Sequence, residues 1–252
     1  KYSPYLIEGH ESQFRIKVNY NHYIESSNKS FSSFGVYFAQ HLGKYEWVKL
    51  SYSYLPQYYL RDYRDKDIII IDNIDPSSDQ YLHSCFFSQG STILTYSKWI
   101  GIRSWIEGML AYNTQYYDSN FTEFDLNKYM LQIAINHRFK NKNKMKLSIA
   151  HGVAQNISYG SNLPSTGFDR SYIFDKVRGE FVYKARRINK IDDAGISVQL
   201  EQRYYDLLSE KYSIGNWKYY LDGRAKMWVD WDIIDNIGFK TYYQFRWRDA
   251  ST

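Results

Sequence analysis

Cations recur at alternate positions along this chain, as in Arg15 and Lys17, Lys176 and Arg178, and Arg224 and Lys226. Arg103, Arg138, Arg203, Lys240 and Arg246 hold the same phase in their own stretches. Residues two apart share one face of an extended strand, so each stretch presents a cationic face. In a low-dielectric frame such a face concentrates anions, and rings of Arg or Lys favour anions in pores. Acids in the same phase are fewer: Glu107, Glu180, Glu201 and Asp222. The runs Glu201/Arg203 and Asp222/Arg224 are spaced to pair between neighbouring strands, which would instead neutralise a filled interior.

These residues need a strand under each of them, and the sequence supplies one. From Ile237 to Arg248, the residues Ile237, Phe239, Thr241, Tyr243, Phe245 and Trp247 alternate with Gly238, Lys240, Tyr242, Gln244, Arg246 and Arg248. One face is apolar and aromatic; the other is polar and mostly cationic. The run is about twice the usual soluble strand and close to the roughly 9–11 residues that cross a bilayer at a tilt. Eleven such runs are read, at about 13–24, 32–42, 46–55, 82–97, 101–116, 127–139, 145–155, 171–185, 194–205, 216–231 and 237–248. The fourth carries Ser88, Gly90 and Ser91, which could mark a bulge or bend. If that run is really two strands, the count rises to twelve.

The connections alternate in length. Short ones fall at 43–45, 98–100, 140–144, 186–193 and 232–236; longer, polar ones fall at 25–31, 56–81, 117–126, 156–170 and 206–215. A soluble sandwich has no reason to sort its loops this way, whereas a transmembrane barrel has short turns at one end and long loops at the other. The reading is therefore all-β: an antiparallel transmembrane barrel over 13–252, of about twelve strands with eleven legible. Residues 1–12 are read as a periplasmic connector.

Energetics assign the faces. An Arg or Lys turned to lipid at the midplane costs about 2–4 kcal/mol, and several per strand would exceed the stability of an ordinary fold. The charged phase must face inward. The apolar phase faces lipid, with Trp217, Tyr219, Trp231, Tyr243, Phe245 and Trp247 as an aromatic girdle. Asp175 departs from this rule, because its phase is that of Ile173 and Val177, and it is read as lying near the external rim; His137 and His151 also fall in the lipid-facing phase and are read as interfacial or rim residues. The lumen is basic beyond the formal net charge of +5. At about twelve strands it is either an open, anion-preferring pore or a lumen filled by paired charges. The chain is 19% aromatic, with 27 Tyr, which suits interfacial girdles. The long connection opens with Tyr58, Tyr59, Arg61, Tyr63 and Arg64, types enriched at binding hot spots, and is read as a partner surface.

Alternating strands, sorted loops and Tyr/Trp girdles together resemble Gram-negative outer-membrane β-barrels of the porin-like kind, over about residues 13–248. The resemblance implies residence in the bacterial outer membrane among its lipids, and it names no solute. It leaves two functions open: a channel for small anionic solutes, or a non-catalytic barrel anchoring an envelope or secretion assembly through the connector or loops. Outer-membrane barrels carry an even number of strands, so a twelfth is expected after Thr252 or from a partner. Barrel phospholipases use His-x-Ser with a strand Asn, and omptin-type proteases use Asp-x-His. His83-Ser84-Cys85 and His151-Gly152-Val153 fit neither, so no enzyme activity is expected. The six histidines share no ligand spacing, Asp72, Asp75 and Asp79 lack EF-hand spacing, and Cys85 is the single cysteine. No metal, cofactor or internal disulfide is expected. Nor is a nucleic-acid partner, since the cations alternate with aromatics along strands and form no exposed patch.

Overall fold

The computed structural model describes residues 6–43, 46–64, 82–157, 171–184, 191–205, 218–234 and 237–250. They form β1 (Ser12–Asn21), β2 (Phe31–Gly43), β3 (Glu46–Arg64), β4 (Leu82–Trp99), β5 (Ser104–Tyr117), β6 (Leu126–Arg138), β7 (Lys144–Asn156), β8 (Tyr172–Lys184), β9 (Ile191–Tyr205), β10 (Lys218–Ile234) and β11 (Ile237–Ala250). The eleven strands make one sheet in chain order, and every neighbouring pair is antiparallel. Connections at 44–45, 100–103, 139–143, 185–190 and 235–236 alternate with longer ones at 22–30, 65–81, 118–125, 157–171 and 206–217. All short connections therefore lie at one end of the sheet and all long ones at the other.

One expectation holds and one changes. The fourth run is one continuous strand, as read: Phe87–Trp99 pairs with Tyr117–Trp105 without a break, so Gly90 does not divide it. Among the described residues the strand count is eleven. The irregular stretch expected from Pro56 starts later, because β3 continues to Arg64. Register shifts at Leu55/Tyr58 and Tyr59/Arg61 accommodate Pro56, which cannot donate to the ladder.

The sheet is not closed. β1 pairs with β2 alone and β11 with β10 alone. In an odd meander the first and last strands run the same way. An antiparallel closure between β1 and β11 therefore requires one more strand.

The two faces differ as the alternation requires. Along β6, Tyr129, Leu131, Ile133 and Ile135 are exposed, while Ala134 and Asn136 on the opposite face are buried. Along β7, Leu147, Ile149 and Val153 are exposed and Ser148, Ala150, Gly152 and Ala154 are buried. The outward apolar residues run on through β8 (Val177, Phe181), β9 (Val198, Leu200) and β11 (Tyr243, Phe245), and back to β1, where Val18 is 71% exposed. Register keeps them in rows from edge to edge: Ile106 faces Ile135, which faces Leu147, and Val198 faces Ala225, which faces Phe245. Soluble monomers rarely expose apolar patches above a few hundred Å², and this belt spans every strand.

The other face is concave. Small residues there leave room for long side chains to reach over a whole strand. Lys146 on β7 meets Glu107 on β5 at 2.7 Å, passing buried Ala134 on β6. Lys128 on β6 lies 4.0 Å from the Phe174 ring on β8, passing Gly152 on β7.

Three glycines receive an aromatic ring directly across the ladder: Gly152 from Phe174, Gly195 from Trp228 and Gly223 from Trp247. A Cβ at any of these positions would overlap the ring, while one at Gly108 would meet nothing within 4 Å. Gly195→Ala is expected to destabilise the fold by about 1–3 kcal/mol through overpacking, and Gly108→Ala to leave it unchanged or slightly firmer. Urea midpoints of the two variants in detergent check this.

Candidate functional site

The inner face is organised around two buried carboxylates near the long-connection end. Asp222 on β10 is 1% exposed and receives three guanidinium groups: Arg224 at 3.0 Å, Arg246 at 2.5 Å and Arg248 at 3.4 Å. Register places Asp222 opposite Arg248 on β11 and Glu201 on β9. Glu201 is also buried and pairs with Arg203 at 2.7 Å and with Lys176 at 3.7 Å. Lys128 stands over Phe174, and Arg203 lies 4.9 Å from the centre of the Tyr172 ring. Lys128, Lys176, Arg203, Arg224, Arg246 and Arg248 thus gather around Glu201 and Asp222, a cluster with a clear cationic excess.

Beside this cluster is a hollow of about 590 Å³. Lys128, Lys176 and Arg203 wall one side, Gln89, Asn113 and Gln115 supply amides, and Tyr172 and Met130 supply apolar surface. Its walls come from β4, β5, β6, β8 and β9 and from Phe124 in the connection ahead of β6, so sheet curvature brings most of them together. Cations with amide donors and acceptors can hold a hydrated or hydroxylated anion while keeping its other groups hydrogen-bonded.

Toward the short-turn end four inner-face cations are each matched by one carboxylate. Lys146 pairs with Glu107 at 2.7 Å, Lys184 with Asp193 at 2.5 Å, Lys240 with Asp230 at 2.9 Å and Arg178 with Glu180 at 2.7 Å.

No family model, curated protein or solved structure matches this chain. The site is therefore argued from its own geometry. No helix among the described residues is long and apolar enough to cross a membrane, which says nothing of strands. No group of three metal-ligating side chains occurs among the described residues.

Of the cations read from the sequence, Lys176, Arg178, Arg203, Arg224, Lys240 and Arg246 all sit on the inner face in the ion pairs above. Lys226 lies 4.7 Å over the Tyr242 ring and Arg15 lies 5.6 Å from Tyr37, both on the inner phase; Lys17 opposes Gly35 on β2. Arg103 and Arg138 lie apart from the cluster. Arg103 is in the turn ahead of β5, Arg138 ends β6, and the two line a hollow of about 290 Å³ at the short-turn end with Trp99 and Phe139.

Tyr58 and Tyr59 belong to the β3 extension rather than to an irregular loop. Tyr58 packs on Phe31 at 5.1 Å and Phe87 at 5.3 Å, and Tyr59 packs on Phe86 at 5.6 Å. Ser84 donates to Asp62 at 2.6 Å and Tyr59 donates to it at 2.8 Å. Arg61, Tyr63 and Arg64 face Cys85, His83 and Leu82 in the ladder; their side chains lie outside the described residues. In the girdle set, Tyr243 and Phe245 are exposed and Phe245 stacks on Trp247 at 5.7 Å. Trp231 pairs with Phe239. Trp217 and the side chain of Tyr219 lie outside the described residues.

The sequence reading missed Lys128 and Asp193, and the amides of the hollow. Lys128 was within reach: it holds the phase of Arg138, alternating with Tyr129, Leu131, Ile133 and Ile135.

Proposed function

We propose that this chain forms the greater part of a transmembrane β-barrel of a bacterial outer membrane, and that its basic interior passes small anionic solutes. The observation that carries the reading is the pairing of an apolar belt across all eleven strands with a cationic hollow on the opposite face. Lipid is the medium that makes such a belt stable, and curvature toward the polar face turns that face into a lumen. Closure needs one strand antiparallel to both β1 and β11, apolar outward. Its inward side chains are acidic or polar, since they meet Arg15 and Lys17 on one edge and Arg246 and Arg248 on the other. With this orientation the long connections and the six-cation cluster face the exterior, and residues 1–12 lie in the periplasm.

Reversal potentials across a planar bilayer in a salt gradient test the reading. The parent protein is expected to prefer chloride over potassium, and Lys128→Ser with Lys176→Ser to lower that preference several-fold. A cation-selective parent would contradict it. The balanced pairs at the short-turn end favour a second reading, a charge-filled barrel that anchors an envelope assembly. Inserted protein without conductance would decide for that one.

A further inference from the structure

One hydrogen-bonded pair of ionisable side chains sits on the wrong face for a lipid-exposed wall. His151 on β7 and Asp175 on β8 are direct ladder partners, and His151 Nδ1 lies 2.8 Å from Asp175 Oδ1. Both point outward, with side chains 63% and 55% exposed. Around them the outward residues are Leu131, Ile149, Val153, Ile173 and Val177, with Gln202 on β9 as the next member of the His151–Asp175 row. The pair lies one outward step inside Tyr129 and Val153, which face each other nearer the long-connection end. On the barrel reading, on which this inference rests, the pair is therefore within the hydrocarbon layer. Ionisable groups at that depth are costly, and they usually face protein or a water-filled cavity rather than lipid.

We infer that the His151–Asp175 pair is the centre of a two-fold interface between two copies of this chain. The bond between Nδ1 and Oδ1 uses one nitrogen and one oxygen. Nε2 of His151 and Oδ2 of Asp175 make no other hydrogen bond among the described residues. His151 and Asp175 stand side by side on adjacent strands. A two-fold axis along the membrane normal, passing in front of their midpoint, reverses left and right in the second copy. Each histidine then faces the other copy's aspartate. Two cross-bonds from Nε2 to Oδ2 close a ring of four residues in which every site is used. The same rotation lays one copy's β6 flank, with Leu131, against the other's β9 flank, with Leu200 and Gln202. Hollows of about 480 Å³ on the His151 side of the pair and about 310 Å³ beneath both residues toward the short-turn end, lined by Leu94, Leu110, Leu131, Ile133 and Val177 among others, can receive the partner's apolar side chains. The patch is complementary to itself, which is what an isologous interface requires. An acyl lipid would fill the hollows but would leave Nε2 and Oδ2 facing hydrocarbon.

The test is a charge exchange read by mass photometry in mild detergent and by energy transfer between labelled copies in vesicles. The parent is expected to dimerise. Asp175→His gives a copy with two histidines and His151→Asp gives one with two aspartates. Each alone is expected to dimerise about tenfold more weakly or worse, from the loss of two buried hydrogen bonds. Mixed together they are expected to pair again, because two histidines then face two aspartates. The double exchange in one chain should also dimerise. A parent that inserts and conducts but stays monomeric overturns the interface and leaves the channel standing. Single variants that dimerise like the parent, or a mixture that does not recover, overturn it equally. A chain that never enters the bilayer removes the barrel reading, and the interface with it.

Discussion

Asp222→Leu is expected to destabilise the fold by about 3–5 kcal/mol, the cost of leaving buried charges without their counter-charge. Asp222 is the one carboxylate within salt-bridge distance of Arg224, Arg246 and Arg248 among the described pairs. Arg224 and Arg246 are direct ladder partners, so without Asp222 two guanidinium groups oppose each other across β10 and β11. β11 is an edge strand held by β10 alone, so the loss falls on the weakest seam of the sheet. Asp222→Asn keeps an acceptor but loses the charge and should fall between leucine and the parent. Urea unfolding in detergent, followed by tryptophan fluorescence, measures the series. Unchanged stability in Asp222→Leu would mean that the inner cluster is hydrated enough for water to replace the carboxylate.

Val198→Arg tests the other face. Val198 is the middle residue of β9 and faces Gly179 on β8 and Ala225 on β10, so a longer side chain has room. It is already 40% exposed. If water covers this face, the change should cost no more than about 0.5 kcal/mol, as surface substitutions do. If lipid covers it, the cost should be about 2–4 kcal/mol. The gap between the two values is wide enough for one pair of unfolding curves in vesicles to separate them. Val198→Leu serves as the size control and should behave like the parent.

Strand number, direction and alternation were legible because a period of two survives along strands whose two faces differ in exposure. The stretch Ile237–Arg248 shows this in sequence and in the ladder alike. Pro56 misled the boundary of β3, since a proline reads as an end unless a bulge takes it in, and the bulge at Leu55/Tyr58 is a property of the β3–β4 register. Register was also what hid the sites. His151 and Asp175 could each be placed on the lipid side from sequence, but they are 24 positions apart and become partners only through the β7–β8 alignment. In the same way the Asp222/Arg224 run reads as pairing between neighbouring strands, whereas Arg224 meets Asp222 along their own strand and Arg246 and Arg248 are the ones that join it across the hairpin. The hollow draws on five strands, so no local pattern announces it.

Nitroxide scanning along β7, in protein refolded into vesicles with Cys85 replaced by alanine, tests the central claim most directly. The prediction is an alternation. Labels at Met145, Leu147, Ile149 and Val153 meet lipid-dissolved oxygen, while labels at Lys146, Ser148 and Ala150 do not. If a water-soluble nickel complex reaches the first set freely, lipid does not cover the belt and the membrane account is wrong.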